Sequence, residues 1–107
     1  MKSERKIQCL VYLDVQVFED RLMLINAKGY SENEHPGVPK LVPTYDTDKT
    51  HKSEILEMDF VNQPIEDTKK EKVDFDIKVV IDLGKISGKL KGIKVIAESN
   101  ADIVLIS

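Results

Sequence analysis

IQCLVYLDVQVF, residues 7–18, decides how the rest of the chain is read. Ile7, Cys9, Val11, Leu13, Val15 and Val17 occupy every odd position, with Gln8, Asp14 and Gln16 between them. An apolar repeat of two over this length belongs to an extended strand, because a helix would spread those side chains around its circumference. The odd row is therefore expected to face a core, on one long strand or on two joined by a bend. Leu10, Tyr12 and Phe18 fall on the other, more polar face. Apolar residues there suit contact with a second sheet, a partner chain or an added strand.

The same period returns further on. Glu19-Asp20 offers a tight connection into RLMLINAKGY, residues 21–30, a second strand expected to end near Gly29. HPGVPKLVPTYD, residues 35–46, carries Pro36, Pro39 and Pro43. Proline withholds a ladder donor, so Lys40–Tyr45 is expected to be a short edge strand after an irregular loop. SEILEMDFVNQP, residues 53–64, sets Leu56, Met58 and Phe60 against Glu57 and Asp59 and is closed by Pro64. After the charged connector IEDTKKEK, the segment KVDFDIKVVIDL, residues 72–83, alternates again. Val73, Phe75, Ile77, Val79 and Ile81 are expected inward, with Asp74, Asp76, Lys78 and Asp82 mostly outward. GKISGKLKG leads into IKVIAES, Asn100-Ala101 reads as a turn, and DIVLIS closes the chain. No segment combines a cap with a 3.6-residue apolar stripe, and Gly92 interrupts KLKGIKVIAE where a helix would want none.

About seven short strands in 107 residues predict a single all-β domain over 1–107, with residues 1–5 flexible. An immunoglobulin-like Greek-key β-sandwich is the expected architecture, and a small closed β-barrel is the alternative. The antibody-type cysteine pair and buried Trp are absent, since the chain has one Cys and no Trp. That single Cys9 also excludes an intramolecular disulfide and favours a reducing compartment. The opening MKSERKIQCLVYLDV lacks a continuous apolar leader, and no run reaches the roughly 18 apolar residues of a membrane span. A soluble, cytoplasmic protein without membrane insertion is expected. A net charge of −3 and 6% aromatic residues argue against nucleic-acid binding.

Candidate sites are sparse. In YDTDKTHKSEILE, residues 45–57, Asp46, Asp48, Thr50, Glu54 and Glu57 match the ligand spacing of a helix–loop–helix calcium site. His51 stands where the turn glycine is needed, Ser53 where an apolar residue is usual, and the flanks read as strands. An exposed inter-strand turn is therefore expected, with Asp46, Asp48 and Glu57 left as weak metal candidates. GKISGKLKG places only three residues between Gly84 and Gly88, one too few for a phosphate loop. Its lysines, Lys85, Lys89, Lys91 and the following Lys94, can attract an anionic surface, although lysines also protect turns and edges from aggregation. Cys9 reads as an inert core thiol, and His35 and His51 lie in polar segments, so neither a catalytic Cys–His pair nor a four-ligand zinc set is expected. Asp74 and Asp76 project about 7 Å apart on a solvent face, without the pocket that acid–base chemistry needs.

PKLVP at 39–43, DFVNQP at 59–64 and LKGIKV at 90–95 occur in an order that resembles certain small bacterial all-β proteins with no assigned function. The resemblance covers about a third of the chain, implies a single β-domain and transfers no site residue. The function expected is that of a non-enzymatic interaction module without cofactor, meeting a protein partner or a second copy through a sheet edge or face. Leu10, Tyr12, Phe18, Lys85, Lys89 and Lys91 are its candidate surface. The alternatives are an immunoglobulin-like protease inhibitor, although no inhibitor loop motif such as Asn-Pro-Thr-Thr-Gly is present, and a calcium- or ligand-binding sandwich using the Asp46–Asp48 loop.

Overall fold

The computed structural model describes residues 4–19, 21–44, 55–65, 69–85 and 90–106. Eight strands follow in order: β1 Arg5–Lys6, β2 Cys9–Phe18, β3 Leu22–Glu34, β4 Gly37–Pro43, β5 Ile55–Pro64, β6 Glu71–Asp82, β7 Gly92–Ile96 and β8 Ala101–Leu105. The only helical element among the described residues is a single 3-10 turn, Leu83–Lys85.

The strands form two separate sheets rather than a closed barrel, so the molecule is a β-sandwich. One sheet runs β2–β3–β6, antiparallel throughout. In the other, β5 pairs along one edge with β4 and along the other with β7 and, further on, β1, while β8 flanks β7. The β5–β7 pair is parallel and the rest are antiparallel. Hairpin β4–β5 lies in one sheet while β3 and β6, which precede and follow it, are neighbours in the other. That is the Greek-key connection.

The inner faces carry the alternating rows. Met23, Ile25, Ala27 and Phe75 from one sheet meet Leu56, Met58, Phe60, Ile93, Val95 and Ala97 from the other, with Ile7 closing one end. Each large side chain buried in this way contributes about 1.5–3 kcal/mol relative to exposure. The row of β5 continues past Phe60 into Asn62, which is fully buried. Its Nδ2 donates to the carbonyl of His35 at 2.9 Å and so ties the β3–β4 crossover to the core. Its Oδ1 rests against Gly37 and has no partner.

Several sequence expectations need correction. First, the parity of strand β2 changes midway. The ladder to β3 steps from Leu10–Gly29 to Tyr12–Lys28, leaving Val11 as a bulge. Leu10 is consequently in the core at 6% exposure and Val11 is 63% exposed, the reverse of a uniform alternation. A bulge inserts one unpaired residue and moves every earlier side chain to the opposite face. Cys9, expected inside, is only partly buried for the same reason. Second, β3 runs through Gly29 to Glu34, because this glycine sits at a close approach and not at a strand end. Third, His35 is buried at the crossover and does not lie in an open polar loop. The edge strand placed at Lys40–Tyr45 is found at Gly37–Pro43, and Arg5–Lys6 add a short strand beside Asn62 and Val61.

The seam between the sheets is closed on the β2–β8 side by Asn100. Leu10 N–H donates to its Oδ1 at 2.8 Å, and its Nδ2 donates to the Leu10 carbonyl at 2.8 Å. The side-chain amide thus stands in for the strand partner that β2 lacks at this point. Asn100→Ala removes both bonds, and at about 0.5–1.5 kcal/mol each the expected loss is about 1–2 kcal/mol for this exposed residue. Urea denaturation checks it: the midpoint should fall while the slope stays constant.

Candidate functional site

Two places in the sandwich could meet another molecule. The first is a polar cleft of about 400 Å3 where β1 passes into β2. Arg5, Lys6 and Gln8 form one wall, Ser31–Glu34 from the end of β3 another, and Glu98 reaches in from the β7–β8 turn. Its polar groups are largely spent on holding strands together. Gln8 N–H donates to Ser31 Oγ at 3.0 Å, and Gln8 Oε1 accepts from Glu32 N–H at 2.7 Å. The buried Glu34 carboxylate lies 3.7 Å from the Arg5 guanidinium and accepts the His35 N–H at 2.8 Å. Glu98 N–H donates to the Ile7 carbonyl at 2.8 Å.

Beside the cleft, Cys9 Sγ lies 3.1 Å from Ser99 Oγ and Cys9 pairs across the ladder with Tyr30. Ser99 Oγ donates to the Gln8 carbonyl at 2.7 Å, so its proton is engaged. The Tyr30 phenol is pushed above the ordinary tyrosine value, chiefly by its hydrogen bond with Cys9 and then by the negative charge of the sulfur when ionised, with burial and Glu32 adding in the same sense. The Cys9, Tyr30 and Ser99 side chains are thus engaged with one another and with the Gln8 carbonyl. The cluster fastens β2 to the β7–β8 turn.

The second place is the outer face of the β2–β3–β6 sheet. Phe18 and Leu22 are ladder partners beside the β2–β3 turn, and Leu24 and Val80 are partners one step further along the same face. Phe18 is 48%, Leu22 39% and Val80 64% exposed. These four side chains form an apolar end to a face that is otherwise polar, with rows Asp14–Asn26–Lys78 and Tyr12–Lys28–Asp76 beyond them. The turn is tight: Arg21 N–H donates to the Phe18 carbonyl at 3.0 Å, and Glu19 takes a left-handed φ of 56°. Such a φ in a residue other than glycine costs about 1–2 kcal/mol, so the geometry of this apolar end is held by its ladder against local strain. Lys28 covers the Tyr12 ring at 5.6 Å and Lys72 covers Tyr30 at 5.2 Å. Those contacts, at about 0.5–1 kcal/mol each, cover the tyrosine rings with cations, unlike the apolar end at Phe18 and Leu22.

The expected surface residues therefore scatter. Tyr12 and Phe18 share the outer face as anticipated, whereas Leu10 points into the core. Lys91 is exposed beside β7, the backbone of Lys85 ends the 3-10 turn, and Lys89 lies outside the described residues. Asp46 and Asp48 also lie outside them, and Glu57 is on the outer face of β5 opposite Lys94. Among the described residues, no three His, Cys, Asp or Glu side chains are grouped to hold a metal ion. Leu22, Leu24 and Val80 were missed as surface residues, although each falls on the outward parity of its strand and is apolar, which is the available signal. No helix among the described residues is long and apolar enough to cross a membrane. Comparison with family models, curated proteins and solved structures finds no significant match to this chain.

Proposed function

We propose that the chain is a soluble, cytoplasmic, non-enzymatic interaction module that works by protein–protein contact through a sheet edge or face. The observation that carries the reading is the apolar end of the outer face: Phe18, Leu22 and Val80, exposed, with the half-buried Leu24 between them by register. Contiguous apolar groups rimmed by charge mark contact surfaces more often than isolated ones do. Asp82, ladder partner of Leu22, and the Asp14–Lys78 row supply such a rim.

Site-specific photo-crosslinking in cells tests this directly. A benzophenone side chain at Phe18 or Val80 should give protein adducts, while the same group at Val38, 47% exposed on the opposite sheet, should not. Absence of adducts from both sheet positions would sink the proposal.

A further inference from the structure

Strand β6 uses one edge to pair with β3, and among the described residues no strand pairs with its other edge. An unpaired edge of this length is a template for another strand unless its side chains oppose the addition. The solvent-facing row of β6 is Lys72, Asp74, Asp76, Lys78, Val80 and Asp82. Whether that row repels or attracts a second β6 depends on register, and it can be worked out residue by residue.

In a twofold antiparallel pair centred on one residue, positions equally far on either side of the centre face each other. Centring must fall on a residue, since a half step sets the core-facing row against the solvent-facing row. A centre at 75 opposes Asp74 to Asp76 and Lys72 to Lys78, and a centre at 76 opposes Asp76 to itself. A centre at 78 opposes Lys78 to itself and Asp74 to Asp82, and a centre at 79 opposes Asp76 to Asp82. Among these only a centre at Ile77 is free of like-charge pairs. A centre at Val80 is free of them too but overlaps only residues 78–82 of each strand, against 72–82 for Ile77. The Ile77 centre sets Asp76 against Lys78 twice, Asp74 against Val80 twice and Lys72 against Asp82 twice. On the inner side the same register pairs Ile77 with Ile77, Phe75 with Val79 and Val73 with Ile81, an unbroken apolar row.

We propose that the free edge of β6 takes the β6 edge of a second copy of this chain, antiparallel and centred on Ile77, joining two three-stranded sheets into one of six strands. This rests on reading the chain as an interaction module and names the partner for its edge. β4 approaches β6 from the other sheet. β4 starts just after the Glu34–Glu71 end of the β3–β6 ladder, and the proposed pairing is centred away from that end, over Asp74–Val80. Asp82 is also the weaker outer partner, since its Oδ1 already accepts Gly84 N–H at 2.9 Å. The Asp76–Lys78 quartet at the centre sets the register.

Sedimentation of the full chain, with circular dichroism as the check on folding, tests the pairing. The wild type should dimerise, with weaker association at high salt. Asp76→Lys and Lys78→Asp, each alone, turn the central quartet into like charges and should raise the dissociation constant at least about tenfold. Mixing the two single variants restores opposite pairs across the interface and should restore the dimer, as should the double exchange D76K with K78D in one chain. A wild type that stays monomeric at millimolar concentration overturns the pairing. So does a dimer indifferent to both single variants, which would instead use the β2 edge or the outer face, and so does a mixture of folded single variants that fails to associate. Crosslinking at Phe18, which lies on β2 at the far side of the sheet from the β6 edge, is read separately, so this pairing can fail while the wider function stands.

Discussion

Replacing Phe60 by alanine is expected to destabilise the domain by about 3–5 kcal/mol. Phe60 is fully buried at the middle of β5, where both layers of the sandwich converge on it, and its backbone carbonyl also accepts the Ile7 N–H at 2.9 Å. The ring packs directly over Gly29 of the opposite sheet, so truncation opens a cavity that neither sheet can close without sliding. Against a total stability of about 5–15 kcal/mol for a domain of this size, that loss removes a large fraction. Urea denaturation should show a strongly lowered midpoint with an unchanged slope, and Phe60→Leu should recover part of the difference. A shift below 1 kcal/mol would mean that the sheets do not pack on this ring.

Gly29→Ala sets two effects against each other. In a strand interior, alanine is favoured over glycine by about 0.5–1 kcal/mol on backbone entropy alone. At this position, however, an added Cβ runs into the Cys9 carbonyl oxygen and comes within 2.9 Å of Phe60 Cε2 and 3.3 Å of Ile7 Cγ2. The ring edge and the methyl group can yield slightly, but a main-chain oxygen held in the β2–β3 ladder cannot. Overpacking of this kind costs about 1–3 kcal/mol and rises when backbone must move, so the clash wins. The expected result is a lower melting temperature, with amide shifts concentrated at Cys9 and Leu10, where β2 would be pushed off β3. An alanine variant as stable as the parent would show that the bulge at Val11 absorbs the strain.

The period of two was enough to find most strands and the core row of β6, because the side chains of Val73, Phe75, Ile77, Val79 and Ile81 differ sharply from their neighbours. It failed at Cys9-Leu10-Val11, where three apolar residues in succession make the two parities look alike. A bulge is a backbone hydrogen-bonding event, and nothing in the side-chain types there announces it. The parallel pairing of β5 with β7 was equally invisible, since strands separated by so much chain are matched by shape and not by a local code. The candidate surface was half legible. Phe18 stood out as an apolar residue on a polar face, but Leu22, Leu24 and Val80 gain meaning only when the ladder brings them beside it. Asn62 continues the inner row of β5 past Phe60, but a polar side chain gives the period-of-two pattern no apolar signal to show that it is buried.

The Asn100 clasp has a consequence for the order in which the protein is made. The β2–β3 hairpin can form as soon as those residues leave the ribosome, yet at Leu10 the edge of β2 is completed by Asn100, 90 positions later. Ile7 likewise waits for Phe60 and for the Glu98 amide. A nascent chain therefore carries an early hairpin with an open margin through most of its synthesis. Chains dominated by such distant pairings fold in milliseconds to seconds, not microseconds. Until the last strands emerge, that margin is the place where a chaperone, or another unfinished copy, would find purchase.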